Sequence, residues 1–222
     1  MSEGLVAGRE RLRRARLYLV VEAAAEPVLG PALRGGVDMV QLRDKDAGDD
    51  ELLRAAARFR SLCSEHGALF WLNDRPDLAR EAGADGVHLG QDDMPVGEAR
   101  EQLGPDVLIG LSTHSPEQFD AALGSGADQL SVGPVWETPT KAGRAAAGLD
   151  YVRYAAARAA GVPWFAIGGI DSDNVHEVIA AGARRVVVVR AIRDADDPEQ
   201  AARVLHDVLC TASGSTARST RC

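Results

Sequence analysis

The stretch GADGVHLG at residues 83–90 decides how this chain is read. A turn of small residues runs directly into a short apolar strand that ends on glycine. Its opening returns as GADQL at 126–130 and, more loosely, as GARRV at 182–186. Each copy sets glycine where a helix stops and an apolar run starts, which is the punctuation of a repeated strand–helix unit.

Working outward, apolar runs recur at steady intervals: 16–22, 38–44, 68–74, 86–90, 107–114, 129–135, 163–170 and 185–192. Most are near-continuous rather than alternating, as expected for strands covered on both faces of a parallel sheet. Helical segments fill the gaps. In ELLRAAARFRSLCSEHG (51–67), Leu52, Leu53, Ala56, Phe59 and Cys63 fall on one face. SPEQFDAALGSGA (115–127) opens with a serine cap and proline at the first helical position, and DSDNVHEVIAAGA (171–183) opens with Asp and Ser. Eight such units predict an α/β fold, a TIM (β/α)8 barrel with an eight-stranded parallel barrel and outer helices. An open doubly wound sheet shares the local pattern.

A length of 222 residues suits one domain. Residues 15–210 are expected to form the single catalytic barrel, with 1–14 a flexible N-terminal tail. The Ser/Thr/Gly/Arg-rich segment 211–222 is expected to be a disordered C-terminal tail. No apolar run approaches the roughly 18 residues that a bilayer demands, and the run after the N-terminal arginines breaks at Glu22, so neither a membrane span nor a signal peptide is expected. Three widely spaced cysteines without a CxxC read as reduced thiols, and the expected location is cytoplasmic. The net charge of −8 argues against nucleic acid as the main partner, and both ends are basic, so the body is more acidic than the total. Such a body binds anions only through locally placed cations and backbone N–H groups.

In a (β/α)8 barrel the chemistry gathers at the C-terminal ends of the strands. In QLRDK (41–45), alternation sends Gln41, Arg43 and Lys45 to one side and Leu42 and Asp44 to the other. Three donors, two of them cationic, suit a diphosphate; ordinary solvated charges at a strand end would give the same letters. Asp74 and Asp93 end consecutive strands and can converge on one Mg²⁺, which takes one or two carboxylates plus phosphate oxygens. Taken singly, Asp74 is a turn residue and Asp93 a cap. TPTK (138–141) offers two hydroxyls and an ammonium, and Gly168-Gly169 allows close approach of backbone N–H groups to phosphate or simply makes a tight turn. His88 reads as an interior histidine and His114 as a lead into a helix. No HExxH, P-loop or Ser/His/Asp order is present.

Together, VQLRDK (40–45), NDRPDLAREAGADGVHLGQDDMP (73–95), GLSTH (110–114), VGPVWETPTK (132–141) and AIGGI (166–170) closely resemble the thiamine-phosphate synthase family of small TIM barrels. The resemblance implies an enzyme, a transferase. It would join an aminopyrimidine diphosphate to a thiazole phosphate, with Mg²⁺, and release pyrophosphate. It implies that Gln41, Arg43, Asp44, Lys45, Asn73, Ser112 and Lys141 hold the pyrimidine diphosphate. Of these, Arg43, Lys45, Ser112 and Lys141 would be catalytic. Asp74 and Asp93 would bind the metal. Thr138, Pro139, Thr140, Gly169, Val189 and Arg190 would hold the thiazole phosphate. The partners would be these small molecules, with neither nucleic acid nor membrane, and a homo-oligomer stays open. The family usually carries a small serine near the end of strand eight, whereas this chain has Arg190, expected to touch phosphate. A thiazole tautomerase-like paralogue would need neither QLRDK nor the two aspartates, and a non-catalytic sensing barrel would need neither them nor both lysines. Lys45 and Lys141 are the chain's only lysines, against 23 arginines.

Overall fold

The computed structural model describes residues 3–138, 145–159 and 161–212. Its eight strands close in sequence order into one parallel barrel, β1 (Leu17–Val21), β2 (Met39–Leu42), β3 (Leu69–Asn73), β4 (Gly86–Leu89), β5 (Leu108–Thr113), β6 (Gln129–Val132), β7 (Trp164–Ile167) and β8 (Val186–Val188). Every neighbouring pair is parallel, with β1 paired to β8. The helices are α1 (Glu3–Arg14), α2 (Glu26–Arg34), α3 (Asp49–His66), α4 (Pro76–Ala79), α5 (Val96–Leu103) and α6 (Pro116–Leu123), then α7 (Gly148–Arg158), α8 (Val175–Ala180), α9 (Arg190–Arg193) and α10 (Pro198–Ala212). The closed barrel removes the open-sheet alternative.

The near-continuous apolar runs serve two cores. Outward residues such as Val40, Phe70, Val87, Ile109 and Leu130 pack with the helices, Leu52, Phe59 and Cys63 of α3 among them. Inward residues Tyr18, Val20, Met39, Leu69, Trp71, Leu108, Phe165 and Val187 fill the barrel. From β4 to β6 the inner face turns polar, with His88, Ser112, Gln129 and Ser131 all buried. Ser115 caps α6 as expected, accepting from Gln118 N.

The refrain that reveals the repeat has a structural job in its aspartate. Asp85 accepts from Phe70 N, Asp128 from Ile109 N, and Asp38, in GVDMV, from Arg16 N and Leu17 N. Each carboxylate thus satisfies an N–H of the preceding strand at the bottom of the barrel.

Two of those carboxylates explain the N-terminal departure. Residues 3–14 are helix α1, where a tail was expected. Leu12 is buried inside the barrel's lower end. Arg9 pairs with Asp128 at 2.9 Å, beside Arg100, and Arg11 lies 3.5 Å from Asp85. These guanidiniums dock the helix on acids that cap strands far away in sequence. At the other end α10 continues to Ala212, two residues into the segment expected to be disordered. Strand eight is shorter than 185–192: β8 stops at Val188 and Arg190 opens α9, with Arg193 N bonded to Val189 O.

Cys63 is a free, buried thiol. Burial, with Asp85 nearby, pushes the Cys63 thiol up to about 12. Cys63 is therefore expected to resist iodoacetamide at pH 8 in the folded protein and to react promptly in denaturant, as read by peptide mass spectrometry. Prompt labelling under native conditions would contradict its packing.

Candidate active site

Two cavities open at the C-terminal ends of the strands, and they differ in chemistry. The first, about 330 Å³, lies over β1 to β5 and is lined by Gln41, Arg43, Lys45, Asn73, Asp74, Asp93 and Ser112. The second, about 370 Å³, lies over β6 to β8 and is lined by Thr138, Gly168, Gly169, Val189 and Arg190. His114, Ile167, Val187 and Val189 line both, so the two cavities meet there.

In the first cavity the inward set of the QLRDK strand arrives as alternation requires. Gln41 is 3% exposed and donates through Nε2 to the Tyr18 hydroxyl at 2.5 Å. Burial holds Tyr18 neutral by raising its pKa far above the ordinary value. Lys45 reaches across to Asp74 at 3.3 Å. Asp44 is not brought to the cavity: its carboxylate accepts from Ala23 N on the outer side, the consequence of the same alternation.

Asp74 sits at φ 58°, the one non-glycine with positive φ among the described residues. Asp and Asn tolerate this left-handed conformation better than other side chains. Asp93 accepts from Gly90 N at 2.6 Å. Partial burial, then a hydrogen bond and like charge from Asp93, push the Asp74 carboxyl above its usual range, and Lys45 only partly offsets this. Two carboxylates that compete for a proton are chemically suited to a hard cation. No group of three metal-ligating side chains occurs among the described residues, so a cation here would complete its shell from phosphate and water.

Ser112 is held on two sides. Its hydroxyl meets His88 Nε2 at 2.9 Å, and its carbonyl accepts from Gln91 Nε2 at 2.6 Å. His88, read as an interior histidine, is therefore both buried and a partner of a site residue.

The second cavity is built on backbone. Gly168 (φ 108°) and Gly169 (φ 68°) adopt conformations that favour glycine, and a Cβ on Gly169 would stand 2.9 Å from the Trp136 Cβ. Asn174 Nδ2 donates to Gly169 O at 2.8 Å and fixes that peptide. The acids in this wall are already engaged: Asp171 accepts from Asp173 N and Asn174 N, and the Arg193 guanidinium holds the Asp194 carboxyl below its usual value. His114 Nδ1 lies 2.6 Å from Gly133 O, a carbonyl, so Nδ1 carries the proton of that bond. Pro139, Thr140 and Lys141 lie outside the described residues.

The family model described as thiamine monophosphate synthase matches residues 17–192, nearly the whole barrel. The chain belongs to this family. Thiamine-phosphate synthase of Acidothermus cellulolyticus is 56% identical over 197 residues, covering 86% of this chain and 93% of that protein. The Nostoc enzyme of the same name is 54% identical over 189 residues, and there the match takes in 84% of this chain but only about half, 54%, of the relative. Thiamine phosphate pyrophosphorylase from Pyrococcus furiosus superposes with a TM-score of 0.84 at 32% identity, covering 90% of this chain and 98% of that one. Membership places the chain among the transferases of thiamine biosynthesis. No helix among the described residues is long and apolar enough to cross a membrane.

Tyr18 and, in the floor, Ser131 escaped the sequence reading, while His114, which follows strand five and was read as a lead into a helix, lines both cavities. Alternation along LYLVV and QLSV carries the signal for the first two, since Tyr18 and Ser131 are inward positions of their strands.

Proposed function

We propose that this barrel joins an aminopyrimidine diphosphate, bound in the first cavity, to a thiazole phosphate, bound in the second, and releases pyrophosphate. The observation that carries this reading is the meeting of two chemically distinct cavities along Ile167, Val187, Val189 and His114. One offers cations and a carboxylate pair, the other glycine backbone and a hydroxyl, and the new bond forms where they touch.

Arg43, Lys45, Ser112 and Lys141 receive the diphosphate, and Gln41 and Asn73 bind beside them. Asp74 and Asp93 would hold Mg²⁺, whose chemistry when bound is neutralisation of charge on the leaving oxygens. The bond between the pyrimidine's methylene carbon and the diphosphate breaks first, because the amino-substituted ring delocalises the positive charge left on carbon. Arg43 and Lys45 stabilise the departing diphosphate from fixed positions, so little reorganisation accompanies the step. The thiazole nitrogen then attacks the same carbon. Gly169, Thr138, Pro139, Thr140, Val189 and Arg190 hold the thiazole phosphate, so the attack is effectively unimolecular. No protein nucleophile takes part. We place the reaction in the cytoplasm.

Incubation with both phosphorylated substrates and Mg²⁺ is expected to release pyrophosphate, with no release when any one is omitted. Conversion of the thiazole phosphate alone, without pyrophosphate, would point to an isomerase instead.

A further inference from the structure

Beneath the first cavity lies a polar arrangement that the roles above leave unused. Gln129 is fully buried inside the barrel, at a depth where β1, β3 and β7 present Tyr18, Trp71 and Phe165. Burying an amide there is costly unless it is bonded. Its Nε2 donates to Ser131 Oγ at 3.1 Å, while its Oε1 has no hydrogen-bond partner among the described residues. Room for the amide comes from Gly110, its register partner on β5. A Cβ on Gly110 would overlap Gln129 Oε1 and stand 2.6 Å from His88 Nδ1 and 2.9 Å from the Trp71 ring. A fully buried, half-satisfied amide over a glycine in mid-strand calls for a reason other than packing.

Ser131 supplies it. It is 3% exposed, lines the first cavity, and pairs in register with Ser112. Two serines therefore lie side by side in the cavity floor, each held by a buried side chain, Ser112 by His88 and Ser131 by Gln129. Because the Ser131 oxygen accepts from Gln129, its own proton must turn elsewhere. The open direction is the cavity. Around it, Tyr18, Val20, Ile167 and Val187 give the cavity apolar walls suited to the faces of a flat ring. A lone donor at the edge of an apolar slot selects an in-plane acceptor, and a ring nitrogen is such a group.

We propose that Ser131, fixed by Gln129, donates a hydrogen bond to a ring nitrogen of the pyrimidine and so sets the ring's rotation about its own normal. Ser131 touches substrate; Gln129 is a positioning residue acting through it. The inference rests on the aminopyrimidine diphosphate reading of this cavity. It adds a specificity element for the ring, distinct from the groups that hold the diphosphate.

The test pairs Ser131→Ala with two pyridine isosteres of the pyrimidine diphosphate, each lacking one ring nitrogen. Binding is read by calorimetry without the second substrate. Wild-type protein is expected to bind one isostere about five- to tenfold more weakly than the pyrimidine, the effect of one neutral hydrogen bond. Ser131→Ala is expected to bind pyrimidine and that isostere equally. In turnover it should raise KM for the pyrimidine diphosphate by a similar factor and leave KM for the thiazole phosphate unchanged. Gln129→Met, which keeps an apolar interior, should raise the same KM about two- to fivefold. Ser131→Thr keeps the hydroxyl and should keep the discrimination.

Equal binding of both isosteres by wild type, or discrimination that survives in Ser131→Ala, overturns the proposal. So does a Ser131→Thr loss as large as that of alanine, which would assign the effect to packing. Wild-type protein that binds the pyrimidine diphosphate but releases no pyrophosphate fails the synthase reading instead, and the isostere comparison still decides the role of Ser131.

Discussion

Asp74→Asn is expected to lower turnover on the order of 10²–10³-fold, the scale set by removing one pre-aligned electrostatic group from a reacting centre. The substitution is chosen for what it leaves intact. Asp74 stands at φ 58°, where Asn is tolerated and Ala is strained, so the backbone of the β3 end is kept. The side chain keeps its shape and loses its charge. Without metal the folded protein should be no less stable, and slightly more so, because partial burial and the like charge of Asp93 work against ionised Asp74 in the native state. Stability and activity therefore move apart, as they do where a site is held in an unfavourable charge state for function. Mg²⁺ is expected to raise the Tm of the wild type and to leave that of the variant unchanged. A D74N protein that keeps both its rate and its Mg²⁺-dependent Tm would remove Asp74 from the site. Equal loss of rate and metal-free stability would make its role structural.

How much of this was legible in the letters depended on range. The barrel was legible because its signal is local and repeated: eight apolar strands, with glycine and a short turn ahead of each from β2 to β8. Inward and outward assignment followed from period two, which is why Gln41, Arg43 and Lys45 line one cavity and Asp44 faces away. The docking of α1 was not legible. It depends on Arg9 finding Asp128 and Arg11 finding Asp85, 119 and 74 residues away, and a basic run gives the same letters whether solvated or docked. The polar floor was hidden for a different reason. Gln129 and Ser131 sit in a strand otherwise apolar, and their meaning appears only when Gly110 is set opposite Gln129 and Ser112 opposite Ser131.

The two lysines carry a related lesson. In a chain of 23 arginines, Lys45 pairs with a carboxylate that the proposed reaction assigns to Mg²⁺. A compact ammonium can leave Asp74 for an incoming diphosphate with little geometric cost, whereas a planar guanidinium is bound to fork geometry. The ion pair thus keeps both charges placed for the same ligand. In the proposed reaction Lys45 relieves Asp74 before the substrate arrives, and both groups would then turn toward it.

Gly168→Ala is expected to cost about 3–5 kcal/mol of stability and to impair the second cavity selectively in whatever fraction folds. Two costs add. The residue stands at φ 108°, which an L side chain rarely adopts. A Cβ there would also lie 2.6 Å from Pro134 Cα and 2.9 Å from Val135 N, which are backbone atoms that cannot rotate away. Nor can that segment retreat, because Val135 N bonds to Ile167 O at 2.8 Å and Trp136 N to Gly168 O at 3.1 Å, tying it to β7. Gly148→Ala supplies the control. It has a similarly positive φ of 73° but open space around its Cβ, so only the conformational term of about 1–2 kcal/mol applies. Urea midpoints at equal m-values should therefore separate the two variants clearly. With binding read by calorimetry, Gly168→Ala should weaken the thiazole phosphate at least tenfold and leave the pyrimidine diphosphate nearly unaffected, since the altered peptide lies in the wall of one cavity only. Equal midpoints for the two variants would mean that the Pro134 turn yields. The close approach would then be a feature of packing that relaxes, and the rigidity assigned to the phosphate cradle would have to come from Asn174 on Gly169 alone.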